Sequence, residues 1–284
     1  MKDRETPLPL LRKWLRSYPN VYQQLDSCAT VKMSGRLSWP DYCPLPINAA
    51  YTHLHHGRRN PDAARLAAEL TACWAWRRSR ILYDVDDDMA RVLLKRAGGM
   101  ADSDIIPFDQ LTRLPGHCVY VKVHHPDFSR LANTDGFFAW VDYDPNNGST
   151  ELRVQWLATN MEHTVPQVLR IGPGWTAKKC VDETFGHIAG IADPDFLAAP
   201  GMDAITHILL GTVQILLYIV SDGADIAPAP GRKHAGNIPG DPNSVGNVNT
   251  VDLQYVGARV GAVIRSSRAK KGYEDPPTGG TPHE

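Results

Sequence analysis

The 284-residue chain is 43% apolar and 21% charged, the balance of a globular protein with a sizeable core, which argues against disorder of the whole chain. Its five cysteines (Cys28, Cys43, Cys73, Cys118, Cys180) are odd in number and lack a CxxC pair, which argues against a disulfide framework or a zinc ribbon and for reduced, buried thiols. The formal net charge of -1 hides an asymmetry: residues 1–100 hold 16 Lys+Arg against 10 Asp+Glu, residues 101–230 hold 7 against 16, and residues 231–284 hold 7 against 5.

The start, MKDRETPLPLLRKWLR, mixes acids, bases and prolines where a signal peptide needs a basic stub and an uninterrupted apolar stretch, so no export is expected. Residues 8–30 predict one or two amphipathic helices interrupted at Pro19, with Leu11, Trp14 and Leu15, then Val21, Tyr22 and Leu25, on their apolar faces. A proline-rich link (39–46) leads to a short helix around Ile47 to Leu54. Asn60 and Pro61 then open a strong helix through ARLAAELTACWAWRRSRIL. Another helix follows in DDDMARVLLKRA (86–97), stopped by Gly98 and Gly99.

The period then changes. CVYVKV (118–123), FFAWVDY (137–143), TELRVQWLAT (150–159) and TVPQVLRI (164–171) are rich in β-branched and aromatic residues at strand length, and Asn146, Asn147 and Gly148 supply a turn, so an antiparallel meander of about four strands is expected. Helices return at 175–189 and 203–221. The apolar run ITHILLGTVQILLYIV (205–220) has 16 residues, includes His207, Gly211 and Gln214, and falls short of the ~20 a membrane span requires. It reads as a buried core helix. Residues 224–247 read as a long Pro/Gly/Asn loop. A strand at 251–256 leads into GARVGAVIRS, where Gly257 and Gly261 would share one helix face and admit a close neighbour. The tail from 267 is polar and expected to be disordered. The fold class expected is α+β, with a mostly helical region 1–100, a core 101–266 holding the sheet and buried helix, and a tail 267–284, together a single globular unit.

The residues offer chemistry without a complete catalytic motif. His53 and His56 stand at helical i, i+3 spacing, which could place two imidazoles on one metal, but no HExxH or CxxC accompanies them. Asp84, Asp86, Asp87 and Asp88 could hold Mg2+ for phosphodiester chemistry; a helix N-cap and acidic first turn account for all of them except Asp84. His117 and Cys118 are adjacent in a strand and point to opposite faces, so they make no catalytic pair, and Cys118 reads as core. No GxSxG, Walker A or GxGxxG occurs. RKH (232–234) and RSSRAKK (265–271) could contact phosphates in a salt-sensitive, sequence-independent way, or be solvated loop charges.

Five segments carry a resemblance in a fixed order: LPGHCVYV (114–121), GFFAWVDYD (136–144), the helix ending in YIVSDGADI (218–226), RKH (232–234) and YVGARVGAVIR (255–265). Over about residues 50–270 the chain resembles a family of phage- and plasmid-borne type V-A anti-CRISPR proteins that suppress synthesis of the type V-A RNA-guided nuclease. The resemblance implies a protein of the bacterial cytoplasm that recognises the amino-terminal peptide of the nuclease as it leaves the ribosome and causes loss of the message being translated. It carries over Arg232, Lys233 and His234 as contacts to nucleic acid or ribosome, and no catalytic residue. Family members continue past a basic, Pro/His-containing stretch into a His/Trp-rich segment, so a sequence ending GGTPHE is expected to be cut short of it.

Peptide capture by strand addition or by a helix in a groove needs aromatic anchors, and Trp74, Trp76, Trp140, Trp156 and Tyr143 are the candidates. The expected partners are that N-terminal peptide and, with it, the translating ribosome or mRNA, with no membrane and no cofactor. The competing readings are a metal-dependent ribonuclease on the aspartates and His53 and His56, and a nonspecific nucleic-acid or ribosome binder.

Overall fold

The computed structural model describes residues 6–30, 38–55, 61–125, 134–158, 164–189, 202–229 and 251–270. A seven-stranded mixed sheet runs through it in the order β5-β4-β3-β2-β1-β7-β6. The strands are β1 (Ile81–Val85), β2 (Cys118–Val123), β3 (Thr134–Asp144), β4 (Ser149–Ala158), β5 (Thr164–Ile171), β6 (Ile226–Pro228) and β7 (Asp252–Val256).

The expected meander is present as β2 to β5, each strand antiparallel to the next. It is more than half the sheet but not all of it: β1 pairs in parallel with both β2 and β7, and β6 closes the far edge antiparallel to β7. The strand count is therefore corrected from about four to seven. The expected strand at 251–256 is β7. β1 was hidden because ILYDV follows a long helix without a proline or glycine. Arg80 alone breaks that helix, with a positive φ of 52°.

Helices cover both faces. On one lie α1 (Leu8–Ser17), α2 (Val21–Thr30), α3 (Ile47–His55) and α4 (Pro61–Ser79), packed on Leu82, Cys118, Tyr120, Phe138, Trp140 and Leu253. On the other, α5 (Asp87–Gly98), the short α6 (Phe108–Leu111), α7 (Ala177–Ala189) and α8 (Met202–Ile219) cover Tyr83, Val85, Val119, Val121, Phe137, Val141 and Trp156. Strand alternation sorts neighbours to opposite faces, and because both faces are covered all six residues of β2 are buried. The last helix, α9 (Ala258–Lys270), buries Gly261 alone among its residues and leans on α5. The run at 205–220 lies in α8, and among the described residues no helix is long and apolar enough to cross a membrane.

Candidate functional site

The parallel strands β1 and β7 end side by side, and each hands the chain to a helix. After β1, Asp86 caps α5: one carboxylate oxygen accepts the N–H groups of Asp88 (3.0 Å) and Met89 (3.3 Å), and Asp87 and Asp88 occupy the first turn. After β7, Gly257 takes a positive φ of 75° and starts α9, whose first N–H groups, from Arg259 and Val260, donate to the Asp225 carboxylate at 2.7 and 3.2 Å. The glycine pair then works as its spacing suggests. A Cβ on Gly257 would meet Met89 at 2.6 Å, and one on Gly261 would overlap the Asp86 carboxylate.

That close approach brings the cations of α9 onto the acids of α5. Arg265 Nη1 donates to Asp86 and to Asp88, both at 2.9 Å, while Arg268 and Arg91 each hold the other oxygen of Asp88. Burial raises the Asp88 carboxyl, but the Arg265 hydrogen bond and the charge of Arg268 outweigh it and hold the group below the usual carboxylate range. Asp84 faces His124 Nε2 at 3.7 Å across a cleft of about 300 Å³ that Tyr255 and Arg265 also line. The metal reading of the aspartates therefore meets guanidinium groups and a helix cap where it needs open oxygens. No group of three or more His, Cys, Asp or Glu side chains able to hold a metal occurs among the described residues; His53, on α3, joins none, and His56 lies outside them.

The aromatic candidates are corrected by burial. Trp74, Trp76 and Trp140 are 0% exposed and Trp156 is 2% exposed. Trp74 donates to Asp26 at 2.9 Å and Trp76 to the Ile81 carbonyl at 2.8 Å, and Trp76 packs edge-on against Phe138. Trp156 belongs to the opposite core, tilted against Phe137 and donating to Gln167. Only Tyr143 keeps part of its ring at the surface. These side chains are divided between two sealed cores and form no common groove. Arg232, Lys233 and His234 lie outside the described residues.

The larger opening was missed by sequence reasoning. A cleft of about 530 Å³ lies between the C-terminal half of α5, the C-terminal half of α8 and the 99–110 connection, lined among others by Leu93, Arg96, Met100, Ile105, Gln214 and Leu217. Its one signal in the sequence was Gln214, a polar residue inside the most apolar run of the chain.

Comparison with known proteins agrees with this architecture. No curated protein matches the sequence. Among solved structures, the crystal structure of AcrVA2 is similar with a TM-score of 0.59 and 15% identity over 92% of this chain and 87% of that one, a likeness of fold. The family described as AcrVA2-like, anti-CRISPR type V subtype A2, matches residues 83–283, a span that runs from within β1 through all the remaining strands. This chain belongs to the AcrVA2-like family of type V-A anti-CRISPR proteins.

Proposed function

We propose that this anti-CRISPR protein acts on synthesis of the type V-A nuclease: it recognises the nuclease's amino-terminal peptide as it leaves the ribosome and triggers translation-dependent loss of the encoding mRNA. The observation that carries the reading is the family match from within β1 through the rest of the sheet and the helices of its second face. The protein then works in the bacterial cytoplasm beside the translating ribosome. Its chemistry is recognition, and the strand-end aspartates, spent on a cap and on arginines, serve structure.

The test is a reporter message carrying the first ~30 codons of a type V-A nuclease, a length able to supply a strand or helix ligand. A paired message holds the same nucleotides shifted by one frame. The expected result is loss of the first message only, on co-expression of this protein and with translation running. Equal loss of both messages would replace peptide recognition by RNA recognition, and loss of neither would remove the proposal.

A further inference from the structure

Three residues with open bonding capacity line the 530 Å³ cleft. The first is Gln214. Only 9% exposed on the apolar helix α8, it has as its one hydrogen-bond partner among the described residues the Met100 thioether, 3.1 Å from the side-chain nitrogen. A primary amide offers two donors and an acceptor oxygen, and thioether sulfur is a weak acceptor. The amide oxygen is not among the fully buried side-chain atoms that lack a partner, so its bonding capacity lies within reach of solvent in the cleft.

The second is the main chain of Ile105. This residue forms an isolated antiparallel pair with Thr176, flanked by hydrogen bonds from Ile106 N to the Trp175 carbonyl (3.0 Å) and from Ala177 N to the Asp104 carbonyl (2.7 Å). The 105/176 pair is thus the non-hydrogen-bonded kind, and Ile105 turns its own N–H and C=O away from Thr176. Neither finds a partner among the described residues. Its side chain is 61% exposed, the most open large apolar group of the cleft. The third is Arg96 on the rim, exposed and without an ion pair among the described residues.

We propose that this cleft is the peptide site and that it takes an extended segment by strand addition. Ile105 exchanges its N–H and C=O with one ligand residue, and Gln214 bonds a second main-chain amide of the same segment. An apolar ligand side chain packs over Ile105 and Leu217, and a ligand carboxylate pairs with Arg96. Strand addition draws affinity from main-chain bonds and specificity from pockets for alternate side chains. A single arginine on a cleft that Asp104 also lines supplies too little positive charge for a phosphate backbone, so the chemistry favours a peptide over nucleic acid. The inference rests on the nascent-peptide reading and adds to it the site and the mode.

The test titrates the full chain against a fluorescent peptide copying the first ~30 residues of a type V-A nuclease, followed by anisotropy. Wild type is expected to bind saturably, and Gln214→Leu, Ile105→Pro and Arg96→Glu each to weaken binding about tenfold or more. Gln214→Leu places an apolar side chain in an apolar wall and keeps its melting temperature. On wild-type protein, peptides N-methylated one residue at a time should lose affinity at alternate positions of one short stretch. Unchanged affinity of all three variants, or a flat N-methyl series, overturns the cleft proposal while the nascent-peptide reading stands. No binding by wild type overturns both.

Discussion

Gly261 of α9 rests against the Asp86 carboxylate with no room for a methyl group between them, and this contact joins the helices that follow β1 and β7. Gly261→Ala should push α9 off α5 and cost about 1–3 kcal/mol, as overpacking does. Gly186→Ala is the control. That glycine sits inside α7 with nothing within 4 Å of its would-be Cβ, so alanine there should stabilise by about 0.5–1 kcal/mol through the unfolded chain. Urea midpoints of the two variants should move in opposite directions.

Asp26 gathers a second group of cations on the first helical layer. It accepts from Arg77 (2.6 Å), Arg78 (2.9 Å) and the Trp74 indole (2.9 Å), and the Arg77 side chain is only 3% exposed. Asp26→Ala takes the carboxylate away from a buried guanidinium and should cost about 3 kcal/mol, whereas Arg78→Ala, at a half-exposed partner, should cost well under ~1 kcal/mol. Burial raises the Asp26 carboxyl, but Arg77 and the hydrogen bonds outweigh it and lower it below its ordinary 3.8. Its stabilisation is therefore present above pH 4 and is lost as pH falls through the lower folded value. Acid unfolding curves of wild type and Asp26→Ala should converge on the acid side.

Asp142 has the opposite sign. Burial pushes its carboxyl from 3.8 to about 6 against the counter-charge of Arg153, while it accepts the Ile47 N–H at 3.1 Å and so ties the start of α3 to β3. Between those two values the folded chain holds a proton that the unfolded chain has released. Stability should therefore fall as pH rises from 4 to 6, by roughly 3 kcal/mol at most, and then level off. Asp142→Asn keeps an acceptor for Ile47 and should flatten that window. Melting temperatures at quarter-unit pH steps, compared with wild type, read the difference directly. A wild-type curve that rises over this window relative to the variant would refute the assignment.

All five cysteines are buried and unpaired. Burial drives the thiols of Cys43 and Cys73 far above their ordinary value and that of Cys180 to about 11, so none of these three offers a thiolate near neutral pH. An aromatic disulfide reagent should label essentially no thiol of the native chain within minutes and all five in guanidinium. Rapid native labelling would mean that one of the two cores opens.

Local signals in the sequence were read well where one element answers to one cue. Pro19 separates α1 from α2, Asn147 and Gly148 turn β3 into β4, and the glycine spacing of α9 foretold a close neighbour. Cues that depend on distant chain were silent. Nothing near Asp86 announces Arg265, which lies 179 residues away and decides that the aspartates are neutralised. The tryptophans misled for a related reason. Period-two alternation assigns Trp140 and Val141 to opposite faces, but it does not say that helices cover both. The cleft escaped because its polar groups, the Ile105 main chain and Gln214, acquire meaning only when the 99–110 connection meets α8.

The place of β1 between β2 and β7 also fixes an order of events during the protein's own synthesis. β1 leaves the ribosome early and can pair with β2 soon afterwards, yet its other neighbour is encoded at residues 252–256. Until that segment emerges, one side of a central strand stands open, and Asp86 and Asp88 wait without Arg265. A newly made copy thus carries an unpaired parallel edge for most of its translation, and the helix that shields its acidic turn is added after all seven strands of the described sheet have been made.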